Sequence, residues 1–96
     1  MIKGGWVYIM TNRYNRVFYI GPTADIAARV HQHRDGTGAS FCKRYNLTKL
    51  VLAEPYPLIE EAIAREKAMK AWKREWKIAA IEKANPEWRD LFETIL

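Results

Sequence analysis

Two short runs of similar composition each carry a tyrosine near the centre: Tyr8 lies in residues 6–9 and Tyr19 in residues 17–20. Both runs are rich in aromatic and β-branched residues, which is typical of strands, and the polar segment 11–15 between them has the composition of a turn. Adjacent antiparallel strands bring side chains on one face within a few ångströms of each other. The two hydroxyls are therefore either held together for chemistry or buried in a core with satisfied hydrogen bonds.

Glu66 and Arg29 are charged residues beside the apolar stripes of two predicted helices. Glu66 has Ala62 and Met69 one turn away on either side, where a carboxylate is costly to bury unless it is compensated. It either pairs with Lys70 one turn later or binds a hard cation such as Mg²⁺. Arg29 either forms an ordinary surface ion pair, or lays its aliphatic stem over the core, or directs its planar guanidinium at a phosphate.

The composition predicts one folded domain, residues 1–96, with a modest core, because the chain has 96 residues of which 49% are hydrophobic. The formal net charge is +5. A basic excess favours a polyanionic partner, either nucleic acid or an anionic membrane surface. Part of the excess is local to one predicted helical region, at Lys67, Lys70, Lys73, Arg74 and Lys77.

Cys42 is the single cysteine, which excludes an intrachain disulfide and a cysteine-based metal site. No segment approaches the roughly 18 apolar residues of a membrane span, and the N-terminal residues lack the pattern of a signal peptide. The sequence therefore predicts a cytoplasmic protein that is not embedded in a membrane.

Strands are predicted at residues 6–10, 16–20 and 48–53, and helices at 23–35, 58–72 and 75–84. Gly21-Pro22 is expected to end the second strand, Thr23 to cap the first helix, and residues 38–46 to form a loop. Asn85 is expected to cap a last short helix that begins at Pro86. A sheet this small cannot bury both faces on itself, so the helices must cover it.

Residues of four segments match a known pattern in the same order: Trp6-Val7-Tyr8, Tyr19-Ile20-Gly21, Arg29 and Glu66. This pattern resembles the GIY-YIG nuclease superfamily, in particular its small stand-alone bacterial members. Tyr-Ile-Gly is intact, Trp-Val-Tyr stands in place of Gly-Ile-Tyr, and the resemblance covers nearly the whole chain. It implies an α/β (α+β) fold, with a central three-stranded antiparallel sheet flanked by helices, and metal-dependent hydrolysis of phosphodiester bonds.

The resemblance also assigns roles to individual residues. Tyr19 matches the tyrosine proposed as the general base for water, and Tyr8 matches its partner tyrosine, which positions the water or the phosphate. Arg29 matches the arginine that stabilises the phosphate, and Glu66 the carboxylate that holds Mg²⁺ (or Mn²⁺). Gly21 matches the motif glycine, expected to let the chain turn tightly beside the site. A single carboxylate predicts weak metal affinity in the absence of DNA.

Further substrate contacts are predicted at His33, Lys43, Arg44 and Tyr45. His33 lies one turn after Arg29, where it either assists proton transfer, contacts the phosphate or bonds a backbone carbonyl. The other three residues lie in the predicted loop and either contact nucleic acid or form a solvated surface. Cys42 has no evident histidine partner and is not expected to be a nucleophile.

Three positions bear on whether such a site turns over. Pro22 follows the motif glycine, where many members of the superfamily have a residue with a free N–H. Ala28 stands where relatives often carry a second basic residue. Asn85 is a candidate for a late asparagine found in many active members, and it could equally be a helix cap.

These observations lead to one main hypothesis and two rivals. The main hypothesis is a divalent-metal-dependent endonuclease that acts on DNA, selecting structure rather than sequence, in DNA repair or recombination. The first rival is a nucleic-acid-binding module of the same fold with weak or no cleavage. The second rival is an interaction protein whose tryptophans and basic helices bind another protein. The sequence leaves open whether the chain forms a homodimer.

Overall fold

The sheet at the centre of the protein has three antiparallel strands in the order β2-β1-β3. A computed structural model describes residues 4–95. The strands are β1 (Gly5–Thr11), β2 (Phe18–Thr23) and β3 (Lys49–Tyr56), and the helices are α1 (Ile26–Asp35), α2 (Ser40–Tyr45), α3 (Ile59–Ala71) and α4 (Arg74–Ala84), followed by a 3₁₀ turn at Phe92–Ile95. The predicted sheet flanked by helices is confirmed.

The alternation of side chains along β1 divides the core into two layers. On one face, α3 and α4 pack against the sheet, and the buried residues there are Val7, Ile9, Ile20, Val51, Leu52, Met69 and Ile81. On the other face, α1 and α2 pack against Tyr8 and its neighbours, and the buried residues are Tyr8, Met10, Ile26, Val30, Cys42, Leu47 and Leu50. Tyr8 therefore lies on the face of the sheet that α1 covers.

Four boundaries differ from the prediction. β2 continues through Gly21-Pro22 to Thr23, because β2 is an edge strand and a proline on an edge need not donate to a neighbour. Asp25, not Thr23, caps α1: its Oδ1 accepts the Ala28 N–H at 3.1 Å. Residues 40–45 of the expected loop form α2, and β3 extends past the expected end to Tyr56.

The C-terminal region also differs from the prediction. Asn85 is the C-cap of α4 rather than the N-cap of a following helix, and the next helical turn begins only at Phe92. Within residues 4–95, no helix has both the length and the apolar character needed to cross a membrane.

Candidate active site

Tyr8 and Tyr19 lie on the same face of the β1–β2 hairpin, offset along the strands. In the register of the hairpin, Tyr8 is opposite Gly21, and Tyr19 is opposite Met10. The two phenol rings are 6.2 Å apart between centroids. The hairpin therefore places the two tyrosine rings next to each other, which a shared chemical role would require.

Gly21 makes room for the Tyr8 phenol. A Cβ built on Gly21 would lie 2.7 Å from the Tyr8 hydroxyl oxygen and 2.9 Å from Cζ, closer than real Cβ atoms approach. Gly21 lies within β2, and among residues 4–95 the glycine with positive φ is Gly36. The expected role in a tight turn is therefore wrong, and space beside Tyr8 is the physical reason for this glycine.

The Tyr8 hydroxyl is buried and bonded to His33. Tyr8 is 1% exposed, and its Oη lies 2.8 Å from His33 Nε2. Burial, reinforced by the neighbouring Tyr19 phenol, raises the pKa of Tyr8 above its ordinary value of 10.0, against the opposing charge of Arg29. Tyr8 is therefore a protonated phenol at neutral pH and a poor base.

The surroundings of His33 favour the neutral form of its imidazole. Burial, followed by the charge of Arg29, lowers the pKa of His33 below its ordinary value of 6.5. Its Nδ1 is buried with no hydrogen-bond partner among the described residues. Of the three roles predicted for His33, the hydrogen bond to a backbone carbonyl is not formed within residues 4–95. The imidazole instead connects α1 to the Tyr8 hydroxyl.

Tyr19 is the more accessible of the two tyrosines. Its ring lies 5.3 Å from the His33 ring and 6.2 Å from the Phe41 ring, between centroids. Tyr19 borders an open groove of about 280 Å³, which we call the Tyr19 groove; its lining residues are Phe18, Tyr19, Ile20, Phe41, Lys70 and Lys77. A substrate in this groove would meet Tyr19 rather than Tyr8.

Arg29 lies on α1, close enough for its charge to act on both Tyr8 and His33. Its charge adds to the effect of burial in lowering the pKa of His33, and it opposes the rise in the pKa of Tyr8. Arg29 itself is half-buried, and it borders a second depression of about 240 Å³ with Thr23 and Asp25. Arg29, His33 and the two tyrosines thus form one cluster on one face of the sheet.

Glu66 is nearly buried on α3 and forms an ion pair with Lys70, the alternative that the sequence left open. The Glu66 side chain is 9% exposed and that of Lys70 is 53% exposed. α3 packs against both β1 and β2, and Lys70 also lines the Tyr19 groove. α3 lies on the opposite face of the sheet from Tyr8 and α1, and within residues 4–95 no hydrogen bond joins Glu66 to Tyr8, Tyr19 or Arg29. The structure therefore does not bring Glu66 into the tyrosine cluster, and its ion-pair partner Lys70 is the residue that reaches the Tyr19 groove.

The donor set around Glu66 fits only a hydrated ion. In the part of the chain that the structure describes, no cluster of three or more His, Cys, Asp or Glu side chains could hold a metal. Mg²⁺ commonly binds one or two carboxylates and keeps several waters. Within residues 4–95, Lys70 is the ion-pair partner of Glu66. Glu66 therefore fits such an ion once the exposed Lys70 ammonium moves away.

The residues predicted to bind substrate from the former loop lie on α2 and are exposed. The Arg44 guanidinium carbon is 5.4 Å from the centre of the Tyr45 ring, and that ring is 4.8 Å from the Phe41 ring. Lys43 borders a separate small depression that also includes His33. Phe41 is not among the candidate site residues predicted from the sequence. A large aromatic side chain in a predicted loop was the feature that could have pointed to it.

Cys42 and Asn85 are both buried, and neither lines the Tyr19 groove. Cys42 is buried, and burial raises the pKa of its thiol to about 11, which disfavours the reactive thiolate. The Asn85 amide nitrogen donates to the carbonyl oxygens of Val51 at 3.2 Å and Arg89 at 2.8 Å, and its oxygen accepts the Arg89 N–H at 3.0 Å. Asn85 therefore connects the end of α4 to β3 and to the C-terminal segment.

Comparison with known proteins identifies the family. The profile of the GIY-YIG catalytic domain matches residues 4–79. A UPF0213 protein of Staphylococcus epidermidis is 36% identical over 64 residues, which is 67% of this chain and 78% of the relative. A UPF0213 protein of Staphylococcus haemolyticus is 34% identical over 77 residues, which is 80% of this chain and 93% of the relative. No solved structure matches significantly. The chain therefore belongs to the GIY-YIG catalytic domain family, which is a family of nucleases.

Proposed function

We propose that the protein is a divalent-metal-dependent endonuclease that hydrolyses phosphodiester bonds in DNA. The observation that carries the proposal is the cluster of Tyr8, Tyr19 and His33, with the charge of Arg29 acting on Tyr8 and His33 and with Tyr19 bordering the open Tyr19 groove. The basic charge of the chain and the lysines of the groove favour an anionic substrate. A role in DNA repair or recombination is part of this proposal.

The two tyrosines suit different tasks. Tyr8 is buried and stays protonated, so its hydroxyl can orient a neighbouring group but cannot take a proton. Tyr19 borders the groove, where it meets water and substrate. Tyr19 shares this groove with Lys70 and Lys77, and because it is the tyrosine that substrate and water reach, it is the residue that we assign as general base.

Arg29 and Glu66 are the residues that we assign to stabilising the negative charge of the phosphate, Arg29 directly and Glu66 through a metal ion. Negative charge grows on the phosphate oxygens during hydrolysis, and the Arg29 guanidinium can stabilise it as it forms. Glu66 would hold Mg²⁺ or Mn²⁺, and a bound ion of this kind supplies a Lewis acid for the phosphate and the leaving oxygen. His33 fixes the orientation of the Tyr8 ring through the 2.8 Å bond between its Nε2 and the Tyr8 hydroxyl.

The test is a nicking assay on supercoiled, linear and branched DNA with Mg²⁺, Mn²⁺ or EDTA. Glu66→Gln removes the carboxylate at nearly constant volume, and we expect it to abolish cleavage while DNA binding is retained. Glu60→Gln changes an exposed acid on the same helix and serves as the matched control. Cleavage in EDTA, or equal cleavage by wild type and Glu66→Gln, would contradict the proposal.

A second candidate is a nucleic-acid-binding module that cuts slowly or not at all. Two observations favour it: the Tyr8 hydroxyl is sealed against His33, and Glu66 is already paired with Lys70. Under this alternative, the protein binds DNA with a strong dependence on salt, and no product forms with any metal.

A further inference from the structure

Three exposed aromatic rings continue the Tyr19 groove across the surface of α2 to the β1–β2 turn. Phe41 is 42% exposed, Tyr45 is 40% exposed and Tyr14 is 64% exposed. The Phe41 ring is 6.2 Å from Tyr19 and 4.8 Å from Tyr45. Tyr45 and Tyr14 border the same hollow of about 190 Å³. We call Tyr19, Phe41, Tyr45 and Tyr14 together the aromatic track.

Cationic groups accompany the aromatic track over its whole length. Lys70 and Lys77 line the groove at the Tyr19 end. The Arg44 guanidinium lies 5.4 Å from the centre of the Tyr45 ring, and the Arg13 guanidinium lies 5.1 Å from the centre of the Tyr14 ring. Rings that lie next to positive charges match a ligand that presents flat apolar surfaces and negative charges at short intervals.

The ligand with these two properties is a nucleic acid strand whose bases are unpaired. Bases inside a duplex stack on each other and present only their edges, so rings on a protein surface cannot stack on them. Unpaired bases offer free faces to aromatic side chains, while a basic surface follows the phosphates. A lipid surface would satisfy the charges, but it has no planar groups for which closely spaced rings are needed.

We propose that the aromatic track binds single-stranded DNA by stacking unpaired bases on Phe41 and Tyr45, and so delivers the strand to Tyr19. This inference rests on the proposed nuclease function, since Tyr19 belongs both to the aromatic track and to the candidate active site. The substrate is then a single strand, or the unpaired part of a branched or gapped DNA, and Phe41 is the residue that selects it.

Binding is measured in EDTA, which prevents metal-dependent cleavage, by fluorescence anisotropy with labelled oligothymidine and with a labelled blunt duplex. We expect oligothymidine to bind more tightly than the duplex. Phe41→Ala and Tyr45→Ala should each weaken oligothymidine binding by about 5- to 150-fold, the range for loss of one base–aromatic stack. Duplex affinity should change by less than about twofold, because phosphate contacts remain. Phe41→Trp keeps a stacking surface and should restore binding.

Trp76→Ala is the matched control, because Trp76 is an exposed aromatic residue on α4 outside the aromatic track. Loss of oligothymidine binding in Trp76→Ala equal to that in Phe41→Ala would overturn the proposal. Equal affinity of wild type for single strand and duplex would do the same. If Phe41→Ala turned a dimer into a monomer without changing oligothymidine binding, the aromatic track would be a contact between copies of the chain.

The nuclease function and this inference fail separately. Cleavage of duplex DNA by a protein that ignores oligothymidine would leave the proposed function standing and remove the aromatic track from it. Stacking-dependent binding of oligothymidine without cleavage under any metal would support the aromatic track and favour the non-cleaving alternative.

Discussion

Glu66 is a nearly buried carboxylate whose described partner, Lys70, is a half-exposed ammonium group. Burial of a carboxylate is unfavourable unless a charge or hydrogen bonds compensate it. Lys70 provides that compensation from a flexible stem, and such a group leaves more easily than a packed arginine would. Under the proposed function, a divalent cation would compete with Lys70 for the same oxygens, and Lys70 also lines the Tyr19 groove.

Lys70→Met should therefore raise the affinity for Mn²⁺, by up to about fivefold, since partly exposed ion pairs contribute roughly 0–1 kcal/mol. Calorimetric titration of the protein without DNA measures this affinity. The increase in melting temperature on addition of Mg²⁺ should also be larger in Lys70→Met than in wild type. Lys67→Met, an exposed change on the same helix, should behave as wild type. Unchanged Mn²⁺ affinity in Lys70→Met would exclude the competition.

His33 makes the stability of the protein sensitive to mild acid. Its pKa is lowered by burial and by Arg29, so below its ordinary value of 6.5 the unfolded chain binds more protons than the folded one. This contribution to stability is complete above 6.5 and is lost as the pH falls through the lower folded value. Urea unfolding between pH about 7.5 and about 5 should show a steeper loss of stability in wild type than in His33→Gln.

The amide of Gln at position 33 can still bond the Tyr8 hydroxyl, so the comparison isolates the titration of the imidazole. His31→Gln, on the exposed side of α1, is the matched control. Identical pH profiles for wild type and His33→Gln would show that His33 does not remain neutral as the folded protein is acidified.

At the scale of elements, the Asn85 side chain connects the C-terminal end of α4 to the sheet by a hydrogen bond. Its amide makes three described hydrogen bonds, to Val51 of β3 and to both backbone groups of Arg89. Asn85 is 5% exposed, so the groups left by its removal would be buried without partners. This arrangement makes Asn85 a structural residue rather than a contact for substrate.

Asn85→Ala should therefore lower the free energy of unfolding by about 1–3 kcal/mol, the cost of leaving buried polar groups unsatisfied. Urea denaturation measures the loss. Asn85→Asp keeps the oxygen that accepts from Arg89 but sets a carboxylate oxygen against the carbonyl oxygens of Val51 and Arg89, so it should lose at least as much stability. If Asn85→Ala unfolded at the wild-type urea concentration but no longer cleaved DNA, Asn85 would belong to the chemistry instead.

The sequence predicted the sheet and the long helices because each has a clear hydrophobic period, and it failed where an element is too short to show one. α2 has six residues, its buried side chain is Cys42 and it lacks a side-chain cap, so composition alone indicated a loop. Pro22 predicts the end of β2, because nothing in the sequence marks β2 as an edge strand.

For the site, residue types predicted Tyr8, Tyr19, Arg29 and Glu66 only in combination, through resemblance to a family. The bond between Tyr8 and His33, by contrast, depends on how α1 lies across the sheet. Gly21 shows the same limit, because its contact with Tyr8 follows from the register of β1 and β2. Strand register and helix placement are long-range properties, which local sequence patterns specify only weakly.

At the scale of the whole molecule, the two edges of the sheet are treated differently. At the β3 edge, the Leu91 N–H donates to the Leu50 carbonyl at 2.8 Å and the Leu50 N–H donates to Asp90 Oδ1 at 3.2 Å, so the C-terminal segment covers that strand. The β2 edge, at residues 18–20, instead borders the Tyr19 groove. An exposed strand edge is a place where another chain can approach, so the ligand proposed above would reach the protein at β2.

If nucleic acid enters at the β2 edge, its phosphates meet Lys77, and the dependence of binding on salt should report that contact. Each phosphate contact lowers the slope of log K against log[salt] by about 0.7 for single strands. Lys77→Met should therefore reduce the steepness for oligothymidine by about that amount, measured in EDTA by anisotropy over a range of salt concentrations. Lys83→Met removes a lysine of α4 that does not line the groove and should leave the slope unchanged. Equal slopes for wild type and Lys77→Met would place the DNA on another surface. A lysine that contacts a phosphate releases a counterion from the DNA when the complex forms, so its removal must make the slope less steep.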